Sequence, residues 1–472
     1  MSWRDALLEV YNRLPPGARS IAASARGARL RAWRYGPETE RLVAEALERD
    51  TWSAERWRAY QEDRLAVLLE RAAQRVPYYR ALWSERRRRG DRRPWDVLEH
   101  WPVLDKAAVR RDPRSFVADD CRRGAMFHEH TSGTTGTPIE LWFRRETVHQ
   151  WYALFEARWR RWNGVTLHDR WAIFGGQLVT PIRQGAPPYW VWNGPLSQLY
   201  CSSYHLRADA IPAYVEALER YEIVYLWGYS SALYALAQGI LRLGRRPPAL
   251  RVVVTNAEPL YPHQRRAMED AFAAPVRETY GMSEIVAAAA QCDHGALHLW
   301  PDVGVVEVLD DGAAARPGAT GDLVCTGLLN TDMPLIRYLV GDRGAVLADR
   351  SCCGCGRMLP VLGALDGRAD DELVTRDGRR VGRLDPVFKA SIPLVEAQLI
   401  QESEELVRLR FVPASGFSAD HERELIARIR DRLGQVTVRL ERVDTIPRGS
   451  NGKFRAVINE MRARASGSET AP

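Results

Sequence analysis

Residues 131–138 read TSGTTGTP, a run of hydroxyl side chains and glycines closed by a proline. Glycine lets a backbone approach an anion closely, while Ser and Thr hydroxyls and free N–H groups donate to its oxygens, so the run has the makings of a polyphosphate loop. It lacks the Lys that follows the glycines of a Walker A sequence, so a neutralising cation must come from elsewhere in the chain. Lysine is scarce here: of 67 Lys and Arg residues three are lysines, Lys106, Lys389 and Lys453. Lys453 lies in a glycine-containing turn, where a compact, mobile ammonium suits an in-line phosphoryl centre better than the broad fork of an arginine.

A second group of residues is suited to a metal. QCDHGALH (291–298) offers Cys and His, and SCCGCGR (351–357) offers three Cys. Thiolates and imidazoles in two short clusters separated by a strand-rich segment fit a tetrahedral zinc site, and a filled four-ligand site, having no open position, is structural.

Further motifs follow in order: TNAEPL (255–260), TYGMSE (279–284), RYLVGD (337–342), GRADD (367–371) and PRGSNGKFR (447–455). With the loop at 131–138, this series resembles the adenylate-forming enzymes. VPYYRALW (76–83), WPVLDKAAVR (101–110) and VEAQLIQES (395–403) resemble the phenylacetate–CoA ligase and CapK-like branch in particular. The resemblance spans most of the chain. It implies ATP-dependent activation of a carboxylic acid, aryl or related, to acyl-AMP, followed by transfer to coenzyme A, the work of an AMP-forming acid–thiol ligase.

The roles that the resemblance implies fall on single positions. Thr131, Ser132, Gly133, Thr134, Thr135, Gly136 and Thr137 would hold the β- and γ-phosphates. Lys453 would sit at the α-phosphate, where a preorganised charge is worth about 10²- to 10³-fold in rate. Glu284 would hold Mg2+, which is commonly bound by one carboxylate plus substrate phosphates. Ser283, in a Met-Ser pair where many relatives have one residue and Thr, would reach the α-phosphate. Tyr280 would turn its ring to adenine, with Gly281 and Met282 continuing that wall. Asp342 would accept both ribose hydroxyls and Arg368 would add a contact to ribose or phosphate. Asn256, Ala257 and Glu258 would line the adenine and acyl side. Asp370 would be the hinge about which a small domain exchanges its Lys face for another. Phe174, Gly175, Trp227 and Tyr229 would wall the acid pocket with Asn256, joined by Trp190 and Trp192. Among the metal candidates the resemblance singles out Cys292, His298, Cys353 and Cys355 as zinc ligands, with His294 and Cys352 as the substitutes.

These residues need elements to position them. ETERLVAEALERD and SAERWRAYQEDRLAVLLERAAQ carry apolar residues at three- and four-residue spacing, so residues 1–125 read as a helical extension. From 126 to 369 strands alternate with helices: AIFGG (172–176), IVYLWG (223–228), RVVVTNA (251–257) and LVCTGLL (323–329) are short apolar runs ending in small residues, and AYVEALERY and SALYALAQGILRLG read as helices between them. This predicts a large α/β adenylation domain with ligands at the carboxyl ends of its strands. Residues 370–463 read as a small, mobile α+β domain, with LVRLRFVPA (406–414) and TVRLERVDTIP (437–447) as strands about the helix HERELIARIRDRLG (421–434). Residues 464–472 read as a disordered tail.

A chain of 472 residues supports two or three domains without needing a metal or disulfide for stability. Seven cysteines, an odd count, argue against a secreted disulfide framework. With no apolar leader and no run of eighteen apolar residues, the expected compartment is the cytoplasm. The net charge of +7 is spread among acids rather than gathered in a stripe, so no nucleic-acid partner is expected. Arg19, Arg26, Arg29, Arg31 and Arg34 lie among Ala and Leu, a basic amphipathic stretch expected to pack on the main domain rather than on a membrane. The implied partners are a small carboxylic acid, ATP, Mg2+ and coenzyme A, with structural Zn2+; a homodimer is compatible with this reading. Two other readings compete. One passes the acyl or AMP group to an amine, hydroxyl or carrier thiol. The other is a non-catalytic nucleotide- and zinc-binding protein, against which the intact Lys453 and Glu284 speak.

Overall fold

The computed structural model describes residues 9–131, 139–245, 249–347, 353–368, 373–376, 380–381, 392–448 and 454–461. The apolar spacing of the N-terminal segment yields helices at Pro16–Arg34, Thr39–Arg49, Ala54–Arg75 and Pro77–Arg88. Proline opens the first and last of these, where the first-turn N–H has no helical partner, and the Ser53 side chain caps the third by accepting from the Arg56 N–H. Their buried residues, among them Val43, Leu68, Leu69 and Tyr79, join the main hydrophobic core. The arginine-rich helix Pro16–Arg34 lies against the edge strand Trp190–Asn193. A Cβ at Gly27 would fall 1.8 Å from Asn193 Oδ1, and Ser24 and Arg31 donate to the Trp192 and Pro195 carbonyls at 3.2 and 3.0 Å. Among the described residues no helix is long and apolar enough to cross a membrane.

Thirteen strands of the described residues join in one sheet. Gln198–Ser202, Trp171–Gly175, Tyr225–Tyr229, Val252–Asn256 and Val276–Gly281 lie side by side in that order and run parallel. Helices Ile211–Arg220, Ser230–Leu243 and Pro262–Phe272 make the crossovers, which bury the sheet on both faces and account for the continuous apolar runs of these strands. The expected alternation of strand and helix, read over 126–369, ends at Gly281. Strands Ala288–Gln291, Leu297–Leu299, Gly304–Asp310, Gly321–Gly327, Tyr338–Val346 and Val361–Arg368 extend the sheet in antiparallel fashion. Tight turns make this possible: Asp311 and Gly312 both take positive φ and close the hairpin that pairs Asp310 with Ala313.

Three smaller sheets complete the architecture among the described residues, the shortest being Leu373–Val374 paired with Arg380–Val381. Phe127–His130 and Glu140–Phe143 form an antiparallel pair whose connection is the 131–138 segment. In the C-terminal part, Leu394–Gln401, Leu406–Pro413, Thr437–Arg442 and Val457–Asn459 form a four-stranded sheet packed against the helix Ala419–Leu433 through Leu399, Leu409, Phe411, Leu425 and Ile429. The helical extension is tied to the sheet by charge as well as packing. Arg158, fully buried, donates to Asp50 at 2.8 Å and to both Asp302 oxygens at 2.6 and 3.0 Å.

Candidate active site at the carboxyl edge of the parallel strands

Tyr280 ends the last parallel strand, and its hydroxyl donates to Asp342 Oδ2 at 2.9 Å. Burial and the adjacent Asp342 charge push the phenol well above its ordinary pKa, so it stays a donor. The ring expected to face adenine and the carboxylate expected to grip ribose are thus neighbours, although the chain separates them by 62 positions. Arg368 pairs with Asp342 across the next strand by backbone register; its side chain lies outside the described residues.

Glu284 follows the same strand and is 7% exposed. Its Oε1 accepts from the Tyr338 hydroxyl at 3.0 Å and lies 3.3 Å from the Lys106 ammonium. Local chemistry delivers that lysine. The Asp105 side chain accepts from the Ala107 N–H at 2.8 Å and so starts the short helix Lys106–Arg111, placing Lys106 at its first position. Leu104 is held on both sides of Tyr338, donating to the Arg337 carbonyl at 2.8 Å and accepting from the Leu339 N–H at 3.0 Å. The sequence reading gave Lys106 no role, although its scarcity and its place just after a capping Asp were signals. Tyr338 went unnoticed for a plainer reason: a tyrosine opening a strand looks like core.

The loop after Val252–Asn256 carries Ala257 and Glu258. The Glu258 carboxylate is engaged at both oxygens: its Oε1 accepts from the Phe454 N–H at 2.7 Å and its Oε2 from the Ser231 N–H at 2.9 Å. It therefore ties the C-terminal part of the chain to the large sheet. Burial raises its pKa, opposed by these two N–H donors and by Arg448. Ala257, Ile285 and Arg337 take φ of +62°, +52° and +47°, backbone conformations that non-glycine residues rarely adopt. They adjoin Glu258, Glu284 and Tyr338, so strain collects around these three side chains.

The acid-pocket candidates divide between the two faces of the sheet. Trp227 stacks on Phe155 with centroids 4.9 Å apart, and the Asn256 amide links to it, with Oδ1 accepting from Trp227 Nε1 at 3.2 Å and Nδ2 donating to the Gly228 carbonyl at 2.9 Å. Tyr229 stands opposite Asn256 in register, its phenol pushed up to about 12 by burial. Gly175 lets the Tyr200 hydroxyl come close, since a Cβ there would lie 2.7 Å from it. Phe174 is a correction: strand alternation turns it to the other face, fully buried against Tyr214, and it cannot wall a pocket shared with Trp227. Trp190 and Trp192 likewise pack on Tyr214 and Tyr221 of the neighbouring crossover helix and its end. Ser283 and Met282 are half-buried and Gly281 is exposed; a Cβ at Gly281 would lie 3.4 Å from the Trp159 ring.

Thr131 stands at the mouth of the glycine-rich loop, where its Oγ1 accepts from the Ile139 N–H at 2.9 Å and its own N–H donates to the Ile139 carbonyl at 3.0 Å. Ser132, Gly133, Thr134, Thr135, Gly136 and Thr137 lie outside the described residues, as do Cys352, the hinge candidate Asp370 and Lys453.

Away from this edge, Cys292, His298, Cys353 and Cys355 converge, with ligand atoms all within 4.8 Å of one another. Cys292 Sγ lies 3.4 Å from Cys353 Sγ, and Cys355 Sγ 3.3 Å from His298 Nε2. His298 Nδ1 is 3.1 Å from the Leu359 carbonyl, which makes Nδ1 the protonated nitrogen and turns Nε2 to the thiols. Cys292 and His298 are buried, and burial drives the Cys292 thiol up to about 12. The donor set fits a closed tetrahedral zinc site. His294 sits instead at an exposed position beside Gly354, outside this convergence.

Comparison with known proteins bears on the fold and on the C-terminal part of the chain. The fold matches 2-hydroxyisobutyryl-CoA ligase in its postadenylation state with a TM-score of 0.65, at 21% identity over 89% of this chain and 93% of that one. The thioesterification state of the same ligase gives 0.52, at 22% identity over 90% and 94%. The architecture is thus that of the adenylate-forming CoA ligases. Residues 373–460 match the CapK C-terminal domain. The chain is homologous to Protein CapK of Staphylococcus aureus, 24% identical over 77% of this chain and 81% of that one. It is also homologous to phenylacetate-coenzyme A ligase of Thermus thermophilus, 28% identical over 90% of this chain and 99% of that one.

Proposed function

We propose that the protein joins a carboxylic acid to ATP, forming acyl-AMP and pyrophosphate, and then passes the acyl group to coenzyme A with release of AMP. Homology to phenylacetate-coenzyme A ligases over nine-tenths of the chain supports this reaction class. The observation that carries the reading is the Glu258 bond to the Phe454 N–H, because it fixes the residue next in sequence to Lys453 at the loop following the parallel strand Val252–Asn256. In the first half-reaction the carboxylate oxygen attacks the α-phosphorus and pyrophosphate leaves. Lys453 neutralises the charge there, and Lys106 adds a second ammonium beside Glu284. In the second, the thiol attacks the acyl carbon, gives up its proton, and AMP departs.

Tyr280 and Asp342 hold the nucleoside, with Asp342 accepting from ribose and Tyr280 orienting it by a hydrogen bond. Glu284, whose Oε1 is shared with Tyr338 and Lys106, would be the carboxylate that holds Mg2+, an ion that would neutralise phosphate charge. Trp227, Phe155 and the Asn256 amide give the acid pocket a flat aromatic wall, which favours an aryl acid. Cys292, His298, Cys353 and Cys355 would hold a structural zinc ion, which would supply a cross-link between the strands after Glu284 and the segment before Val361. The protein works in the cytoplasm.

A pyrophosphate-release screen over aryl, fatty and amino acids, followed by addition of coenzyme A, tests the reading. The expected result is acid-dependent pyrophosphate release that Lys453→Ala lowers by about 10²-fold or more, and thioester on adding coenzyme A. Pyrophosphate release undiminished in Lys453→Ala, or acyl-AMP that coenzyme A does not consume, would overturn it.

A further inference from the structure

The antiparallel pair at the base of the glycine-rich loop carries a feature that nucleotide chemistry does not require. Phe127–His130 pairs with Glu140–Phe143 in a register that sets His130 opposite Glu140 and His128 opposite Trp142. Side chains two apart on one strand, and those directly opposite on its partner, share a face, so His128, His130, Glu140 and Trp142 form one patch. The Nε2 of His128 is 3.7 Å from Glu140 Oε1, the two imidazoles are 4.6 Å apart between centroids, and His128 stacks flat on Trp142 at 4.8 Å. The ligand atoms of His128, His130 and Glu140 all lie within 4.8 Å of one another. Among the described residues this is the one grouping of metal-ligating side chains besides the Cys/His cluster.

We infer that His128, His130 and Glu140 form a second metal site, for a divalent cation of the zinc, cobalt or nickel type. Two imidazoles and one carboxylate are a donor set for such borderline ions, whereas Mg2+ and Ca2+ favour oxygen alone. The three ligands come from one face of a two-stranded ribbon, so the opposite side of the ion stays open to water or another ligand, unlike the closed thiolate cluster. Trp142 fixes the plane of the His128 ring and limits its rotation. An ion held here cross-links the two strands at the last pair before the loop, where Thr131 and Ile139 close the mouth. Occupancy therefore stiffens the two strands that frame the loop. The inference needs no assumption about the substrate of the enzyme.

Cobalt is the probe, because thiolate-bound and imidazole-bound Co2+ differ in absorption. Full-length protein, purified as it comes, is equilibrated with Co2+, and bound cobalt is counted beside the His128→Ala/His130→Ala double variant and the conservative Glu140→Gln variant. The expected result is one additional Co2+ per chain in the parent, without thiolate charge-transfer absorption, lost in the double variant and bound about tenfold or more weakly by Glu140→Gln. Hydrogen exchange over 127–143 is expected to slow on addition of Co2+ in the parent alone. Equal uptake by parent and double variant, additional cobalt that carries thiolate absorption, or exchange over the hairpin indifferent to Co2+ would each overturn the inference.

Discussion

The Glu258 carboxylate and the Phe454 backbone N–H, 196 positions apart, meet at 2.7 Å. Because the other carboxylate oxygen is bound to the Ser231 N–H, Glu258 clamps a crossover helix and the C-terminal part together. Replacing it by Ala removes both acceptors. Adenylation is expected to fall by about tenfold, the equivalent of one charge-assisted hydrogen bond. Hydrogen exchange over 454–461 should rise at the same time. Unchanged exchange there would show that the clamp is not what holds the segment.

Lys106 and Tyr338 share one oxygen of Glu284. Lys106→Ala leaves a nearly buried carboxylate without its ammonium, and kcat is expected to drop by about 10- to 100-fold. Tyr338→Phe removes only a neutral donor and should cost less than about tenfold. Steady-state kinetics with the best acid rank the two; the reverse order would mean that Lys106 is a surface pair that happens to lie close.

Tyr280→Phe frees Asp342 from its donor without removing the ring. KM for ATP is expected to rise by about 3- to 10-fold with kcat little changed, since the interaction is made in ground and transition states alike. A fall in kcat at constant KM would assign the hydroxyl to the chemical step instead.

Arg158 sits between Asp50 and Asp302 with no exposure of its own. Arg158→Met leaves the buried Asp50 without its guanidinium and Asp302 with Arg49 alone, and is expected to lower stability by about 3–5 kcal/mol, read by denaturant unfolding. Burial works to raise the Asp302 pKa, but Arg158 and Arg49 outweigh it and hold the folded value below the unfolded one. The contribution of Asp302 is therefore present above the ordinary aspartate range and is lost as pH falls through the depressed folded value. Between neutrality and that point the Asp302→Asn protein should differ most from the parent at the higher pH. A gap that widens on acidification would contradict the sign.

Elemental analysis of the purified protein is expected to return zinc, and Cys353→Ser should lower it while weakening the link between Cys292 and the segment before Val361. Zinc content unchanged in Cys353→Ser would remove that residue from the ligand set.

The parallel half of the fold was legible because buried parallel strands write long apolar runs, as VVVTN and YLWGY do, and end in small residues where ligands collect. The antiparallel half was not: Ala288–Gln291 is three alanines and a glutamine, a composition that says helix as readily as strand, and its pairing with Leu297–Leu299 fixes it from outside. Asn256 and Trp227 could be put on one pocket face, but Phe174 could not, since the face that a strand residue takes depends on register. Lys106 and Tyr338 meet Glu284 through contacts that no local pattern encodes. The Cys and His positions were readable as two clusters; which four converge follows from the pairing of Leu297–Leu299 with Val361–Arg368.

Leu104 is stitched by backbone hydrogen bonds to both sides of Tyr338, so the helical extension is woven into the large sheet. A gene trimmed to begin just ahead of the glycine-rich loop would not free a minimal catalytic module. It would strip the strand Tyr338–Val346, which bears Asp342, of its two backbone hydrogen bonds to Leu104 and would remove Lys106 from the side of Glu284.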